Sequence, residues 1–294
     1  MRSYVVPVDF SKSSNLALDY AIARARRRKA KLVLVHVLAS HSMAAATSED
    51  SGSAELIIKA QEFARENARH AMHKLVARKG LSPKEHQVVF IERLDAAGAI
   101  ADQARKSRAR MIIMGSEGRT GLHRLFSGSV AEATLRVTRR PVLIVKKSKF
   151  TKAPAKKILV PVDFSKVSEV ALKSANEIAK AEKESLVLVN VATDTDRMVP
   201  FYLRQEYQQA LFKESQARVK KLAMRLGIGP RRYELSFIRA PDAAVAIAKE
   251  AKRFRVSMIV MGSHGRTGLK QLVLGSVAAK TLRYASCPVL VLKK

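Results

Sequence analysis

The chain of 294 residues contains a single cysteine, Cys287. One cysteine cannot form a disulfide within the chain, and it argues against a zinc site built from several thiolates. No apolar run approaches the roughly 20 residues that span a bilayer. The first residues also lack the long apolar core of a signal peptide. We therefore expect a cytoplasmic protein without membrane insertion.

Acidic residues are scarce relative to basic ones: 25 Asp and Glu stand against 55 Lys and Arg, a net charge of +30. A field of this sign attracts polyanions, including nucleic acids, nucleotides and anionic membrane surfaces. The densest basic run is RARRRKAK, residues 24–31, and no aromatic residues that could stack on bases are interleaved with it. A polyanion or nucleic-acid partner and a merely solvating basic surface both remain open.

The chain contains an internal duplication. YVVPVDFS from Tyr4 returns as ILVPVDFS from Ile158, and residues 111–145 match residues 258–292 at 21 of 35 positions. Between the copies lies a lysine-rich stretch that is short of large apolar side chains, as in exposed linkers. We predict two domains, residues 1–147 and 158–294, with a linker at residues 148–157.

Short apolar strands alternate with amphipathic helices in each copy. The longest helix is expected from Ala54 to about residue 79, with a counterpart from Val199 to about residue 226. The strands are apolar throughout, as expected when helices cover both faces of a parallel sheet. The pattern predicts a doubly wound α/β sheet, built twice. Ligands of such sheets bind outside the carboxyl ends of the strands, at the topological switch point.

An aspartate follows the first strand of each copy, Asp9 and Asp163. Such a residue accepts backbone N–H groups in a turn that leads into a helix. At the mouth of a sheet it could instead accept a hydrogen bond from a ribose hydroxyl or a base amino group. The residues alone leave both roles open.

A glycine motif with the spacing G-x2-G-x9-G-S follows the fourth strand of both copies. Glycine lets the backbone approach a ligand closely and adopt positive φ. The last pair opens a helix whose free N–H groups suit a phosphate. Because both copies share the spacing between a strand and a helix, the motif predicts an anion or nucleotide site. It lacks the ending of a P-loop, and no G-x-G-x-x-G follows the first strand.

With a strand ending in Met-Gly before it, an early VPVDFS and a closing PVL, this motif resembles the universal stress protein family in its tandem two-domain form. The resemblance covers both copies almost end to end. It implies two Rossmann-like, adenine nucleotide alpha hydrolase-like domains, each with a five-stranded parallel sheet. It also implies a stress-response module that binds ATP, with Mg²⁺ as a companion ion. A homodimer of the tandem chain is one oligomeric state that the resemblance implies.

Position by position, the resemblance places adenosine at the ends of the first and second strands and phosphates on the glycine motif. The implied residues of the first copy are Pro7, Val8, Asp9, Val37, Met114, Gly115, Gly118, Gly128, Ser129 and Val130. Those of the second copy are Pro161, Val162, Asp163, Val191, Met261, Gly262, His264, Gly265, Gly275, Ser276 and Val277.

No nucleophile, base and orienting group meet at the predicted strand ends, which argues against an efficient enzyme. A weak ATPase remains an alternative. The seven histidines form no cluster with acids that predicts a metal site.

The two motifs differ in one position that bears on affinity: Glu117 stands where the second copy has His264. A carboxylate repels a triphosphate by roughly 1 kcal/mol at 4 Å in water, and by more where both are partly buried. A glutamate that faces solvent would have no such effect. The hypothesis from the sequence is that the second copy binds ATP more tightly than the first.

Overall fold

The computed structural model describes residues 3–39, 51–116, 129–146, 156–193, 204–265 and 274–293. It divides into two compact units, Met1–Val145 and Lys146–Lys294. In the described part of the chain each unit contains five parallel strands and four α-helices.

The first unit alternates strands and helices along the chain. Its strands are β1 (Ser3–Pro7), β2 (Lys31–Leu38), β3 (His86–Glu92), β4 (Met111–Gly115) and β5 (Val142–Val145). Its helices are α1 (Lys12–Arg28), α2 (Ser51–Arg78), α3 (Ala96–Lys106) and α4 (Ser129–Val137). The strand order is β3-β2-β1-β4-β5, and every neighbouring pair is parallel. The chain winds outward from β1 to β3 and then returns to β4 on the other side of β1, so the switch point lies between β1 and β4.

The second unit repeats this topology. Its strands are β6 (Lys157–Pro161), β7 (Ser185–Ala192), β8 (Tyr233–Arg239), β9 (Met258–Gly262) and β10 (Val289–Leu292). Its helices are α5 (Lys166–Glu182), α6 (Arg204–Arg225), α7 (Ala243–Arg253) and α8 (Ser276–Tyr284), with a 3₁₀ turn at Pro230–Arg232. The order β10-β9-β6-β7-β8 gives a switch point between β6 and β9. The predicted doubly wound fold is confirmed in both units.

The strands form the core because helices cover both faces of them. Val5, Ile112 and Ile144 in the first unit and Ile158 and Ile259 in the second are each 0 % exposed. Each such side chain contributes roughly 1.5–3 kcal/mol when removed from water. This burial explains why the strands are apolar at every position rather than at alternate ones.

Each unit closes its first helix in the same way. Lys29 and Lys183 adopt left-handed conformations, with φ of 48° and 56°, and end α1 and α5. The long helix of the first unit, expected from Ala54, begins three residues earlier, at Ser51, and ends at Arg78. The described part of its counterpart begins at Arg204 and ends at Arg225.

Candidate functional site

A cavity of about 640 Å³ lies at the carboxyl ends of β1, β2 and β4 in the first unit. This volume is within the roughly 300–1,000 Å³ of typical ligand pockets. Eight residues predicted for the first copy line it: Pro7, Val8, Asp9, Val37, Met114, Gly115, Ser129 and Val130. The other two, Gly118 and Gly128, lie outside the described residues. The cavity occupies the switch point between β1 and β4, where helices leave neighbouring strands in opposite directions.

Asp9 is both a turn residue and part of the cavity wall. Its Oδ1 accepts a hydrogen bond from the Ser11 N–H at 3.0 Å, while Phe10 between them adopts a left-handed φ of 64°. Ser11 in turn caps α1 by accepting a hydrogen bond from the Ser14 N–H at 3.1 Å. A carboxylate offers roughly four lone-pair sites, and the Ser11 bond takes one of them. The two roles that the sequence left open are therefore compatible.

The second unit builds the same turn. Asp163 Oδ1 accepts a hydrogen bond from the Ser165 N–H at 3.0 Å, Phe164 has a φ of 65°, and Ser165 accepts one from the Ser168 N–H at 3.2 Å. The repeated DFS sequence therefore encodes a local structure: an aspartate turn, a left-handed phenylalanine and a serine cap.

A polar residue on the second strand of each unit holds this turn by a hydrogen bond to the residue before the aspartate. His36, 5 % exposed, has its Nδ1 2.6 Å from the Val8 carbonyl oxygen. A carbonyl only accepts, so Nδ1 carries the proton. In the second unit Asn190 Nδ2 donates to the Val162 carbonyl oxygen at 2.7 Å. Sequence reasoning considered His36 only as a metal ligand and missed this role. A polar residue at the same place in two apolar strands was the available signal.

The first glycine of each motif is required by packing within the protein. A Cβ on Gly115 would lie 2.7 Å from the carbonyl carbon of Ser13, in the first turn of α1. A Cβ on Gly262 would lie 2.6 Å from Cγ1 of Val167, in the first turn of α5. Neither glycine has a positive φ. At these two positions, glycine therefore allows the strand end to approach a helix, which differs from the reason given by the sequence.

The later glycines of the second motif do lie at the mouth of the sheet. A Cβ on Gly265 would lie 2.6 Å from Asp163 Oδ2, so any side chain here would force the carboxylate to shift. The Gly275 N–H donates to the Ser263 carbonyl oxygen at 2.7 Å. His264 Nδ1 lies 3.0 Å from Ser263 Oγ. The loop after β9 thus brings four predicted residues, Asp163, His264, Gly265 and Gly275, into one neighbourhood.

The helices that follow β4 and β9 point their N-termini at these sites. α4 begins at Ser129, and α8 begins at Ser276 after Gly275, which has no side chain with which to cap the helix. The first N–H groups of a helix have no partner within it, and the helix dipole is positive there. These ends have the chemistry of an anion site.

The remaining predicted residues of the second copy also lie at strand ends or at the start of α8. Pro161 pairs with Val189 in the sheet, and the Val162 N–H donates to the Val189 carbonyl oxygen at 2.8 Å. Val191 pairs with Ile238, and Met261 is buried beside Val291. Val277 follows Ser276 in the first turn of α8 and is 40 % exposed.

One wall of the first cavity was missed by sequence reasoning. It comes from Ala64, Asn67, Ala68 and Ala71 on α2. These residues share one helix face because they recur at spacings of three and four. Three alanines on one helix face were a usable signal, but only once α2 was known to face the sheet edge.

Within the described ranges, no group of three or more His, Cys, Asp or Glu side chains is arranged to hold a metal ion. No helix in the same part of the chain is long and apolar enough to cross a membrane.

Fold and site together define a tandem α/β protein with a ligand-sized cavity at the switch point of its first unit. The model of the universal stress protein family matches the chain twice, over residues 1–146 and 154–293. The chain therefore belongs to the universal stress protein family, and the resemblance inferred from its motifs is confirmed.

One relative spans both units of the chain, whereas another matches about half of it. A universal stress protein of Mycolicibacterium smegmatis is 29 % identical over 301 residues, covering 98 % of this chain and 96 % of that protein. One from Methanocaldococcus jannaschii is 37 % identical over 149 residues, covering 47 % of this chain and 82 % of that protein. The crystal structure of a universal stress protein from Archaeoglobus fulgidus superposes with a TM-score of 0.67 at 20 % identity, covering 99 % of this chain and 96 % of that one. This likeness extends the fold over both units.

Proposed function

We propose that this universal stress protein binds adenine nucleotide, with ATP as the expected form, at the switch points of its sheets. The observation that carries the proposal is the cavity of about 640 Å³ in the first unit, where the strand-end aspartate and a helix N-terminus face one space. We further propose a regulatory role in the stress response, in which nucleotide occupancy changes the shape or the partners of the protein.

The adenosine end of the proposed site lies between β1 and β2. Its walls are apolar on both sides of the sheet edge, with Val35 and Val37 from β2 and Ile100 from α3. Ligand sites commonly combine such walls with a few fixed polar groups. Asp9 would accept hydrogen bonds from ribose hydroxyls, since a carboxylate can accept several at once. The turn and the support from His36 hold this carboxylate in place before the ligand arrives.

The phosphates would lie at the start of α4, against the backbone of Ser129 and Val130. The second unit offers the start of α8 in the same role. Since the described residues supply no cluster of carboxylates for a metal ion, Mg²⁺ would be held chiefly by phosphate oxygens and water, as this ion commonly is.

A polyanion-binding function is the runner-up, and the described basic run supports it weakly. Arg24 is only 2 % exposed, and Arg26 Nε lies 2.8 Å from Glu85 Oε1. Hydrogen bonds from Arg26 and then from Ser82 lower the pKa of the Glu85 carboxyl to about 2, and the ionised carboxylate offsets the charge of Arg26. The run therefore does not present all its charge on one surface, although the net charge of +30 still favours polyanion contact.

Calorimetric titration with ATP tests the proposal. In the double variant Asp9→Asn and Asp163→Asn, the amide oxygen can still accept the turn hydrogen bond, but the amide nitrogen cannot accept one from ribose. A hydrogen bond to a charged group contributes roughly 1.5–3 kcal/mol, so we expect affinity to fall about tenfold or more. Asp95→Asn is the matched control, because Asp95 also accepts a backbone N–H at a helix start, from Gly98 at 2.9 Å, but lies outside the cavity wall.

The expected result is ATP binding by the wild type and by Asp95→Asn, and weakened binding by the double variant. A folded wild-type protein that binds no adenine nucleotide would overturn the proposal. Steeply salt-dependent binding of RNA by the same protein would then favour the polyanion function.

A further inference from the structure

The two units differ in the helix that faces the aspartate turn. The helices α2 and α6 can be aligned at their ends: Arg78 and Arg225 are each followed by a glycine of positive φ, Gly80 at 58° and Gly227 at 66°. Counting back the same distance from each arginine reaches Ala71 in α2 and Arg218 in α6. The strand pairing supports the alignment, since His36 pairs with Phe90 and Asn190 pairs with Phe237.

In the first unit this position leaves space. Ala71 and Phe10 line the same cavity, together with Ala68 and Ala64 one and two turns earlier in α2. The three alanines project only methyl groups from this helix face, so the space between the helix and Phe10 is left to the cavity.

In the second unit the same space holds an arginine. The guanidinium carbon of Arg218 lies 4.1 Å from the centroid of the Phe164 ring, the counterpart of Phe10. Its Nη1 is also 3.6 Å from Glu214 Oε1 on the same helix. At the two earlier turns, Leu211 and Ser215 stand where the first unit has Ala64 and Ala68. Of the three aligned positions, the one that faces the phenylalanine therefore gains the largest side chain.

We propose that the two nucleotide sites are unequal, and that Arg218 is the residue that makes them so by occupying part of the nucleoside position in the second unit. The inference rests on the proposed function and specifies which half of the chain performs it. It runs opposite to the hypothesis drawn from Glu117, a residue outside the described part of the chain. Arg218 is a specificity-determining residue: a nucleoside enters the second unit only after the guanidinium leaves the Phe164 ring.

The size of the effect follows from that displacement. Cation–π contacts at partly exposed sites correspond to roughly a two- to fivefold change in an equilibrium constant. Arg218 also carries a charge that attracts phosphates, which would act in the opposite direction for ATP. Adenosine has no phosphate, so it is the probe that isolates the displacement.

The experiment measures adenosine and ATP binding in two backgrounds, each with one weakened site. Asp9→Asn leaves the second unit as the main site, and Asp163→Asn leaves the first. In the Asp9→Asn background, Arg218→Ala should tighten adenosine binding roughly two- to fivefold. Arg225→Ala is the matched control, an exposed arginine on α6 that also forms an ion pair, with Glu169 at 2.6 Å. It should change nothing.

The reciprocal substitution places the arginine of the second unit at the aligned position of the first. In the Asp163→Asn background, Ala71→Arg should weaken adenosine binding. Ala77→Arg, the same change at an exposed position of α2 outside the cavity wall, should not. Circular dichroism melts check that each variant folds, and Arg218→Ser replaces Arg218→Ala if the latter does not.

Three results would overturn the inference. One is equal adenosine affinity in the two backgrounds, with no response to Arg218→Ala. Another is weaker ATP binding with unchanged adenosine binding in Arg218→Ala, which would make Arg218 a phosphate ligand. If neither adenosine nor ATP binds in either background or in the wild type, the proposed function fails, and the inequality of the sites fails with it.

Discussion

Alanine in place of Gly115 should destabilise the first unit more than alanine in place of Gly262 destabilises the second. The new Cβ at position 115 would lie 2.7 Å and 2.8 Å from the carbonyl carbon and oxygen of Ser13, with Ser13 Oγ nearer still. At position 262 the nearest atom is Cγ1 of Val167, at 2.6 Å, and the nearest backbone atom is 3.3 Å away. Cγ1 of Val167 can be displaced by a change in the side-chain torsion, whereas the Ser13 carbonyl can move only if the first turn of α1 moves.

Overpacking in well-packed regions typically costs about 1–3 kcal/mol. We expect Gly115→Ala at the upper end, about 3 kcal/mol, and Gly262→Ala nearer about 1–2 kcal/mol. For a unit of this size each kcal/mol corresponds to roughly 2–4 °C in Tm. The larger loss should therefore appear as a fall of ~6–12 °C in scanning calorimetry, and peptide-level hydrogen exchange assigns it to one unit.

A second substitution sharpens the comparison. Val167→Ala removes the methyl group that Gly262→Ala would meet, so the double variant should recover part of the loss, as a double-mutant cycle measures. Ser13→Ala removes only the hydroxyl and leaves the backbone contact, so it should recover little in Gly115→Ala. If both Gly→Ala variants lose less than about 0.5 kcal/mol in free energy of unfolding, the packing argument is refuted. Close approach of a ligand would then be the remaining reason for glycine at these positions.

Two further predictions concern groups away from the cavity. Burial raises the pKa of the Cys287 thiol to about 12, so a thiol reagent at pH 8 should label the protein only after denaturation; rapid labelling of the native chain would contradict this. Asp242 accepts hydrogen bonds from Lys280 and from two N–H groups of α7, which hold its pKa below the usual 3.8. Its stabilisation should be complete above that pH and lost as pH falls through the lowered pKa. Melts of wild type and Asp242→Ala should therefore differ by about 0.5–2 kcal/mol at neutral pH and converge in acid, and a gap that widens in acid would count against the argument.

The sequence alone was sufficient to predict that Asp9, Gly115 and Ser129 lie at one edge of the sheet. Each follows or ends an apolar strand or opens the next helix, and the carboxyl ends of parallel strands meet at the same edge. The duplication strengthened this inference, because each motif appeared twice in the same context.

The wall formed by Ala64, Ala68 and Ala71 could not be predicted in the same way. Local pattern gives the face that these alanines share, but which element that face meets depends on how α2 packs on the sheet. The reason why position 115 requires glycine could not be predicted either, because it also depends on tertiary packing. A glycine signals close approach of something, and only the position of Ser13 identifies a helix turn rather than a phosphate.

A crystal structure of the chain grown with ATP tests the central claim most directly. We predict adenosine density in the first unit, between the ends of β1 and β2, with ribose hydroxyls on Asp9 and phosphates at the start of α4. A cavity that stays empty in crystals grown at saturating ATP, or a nucleotide bound elsewhere on the basic surface, would contradict it.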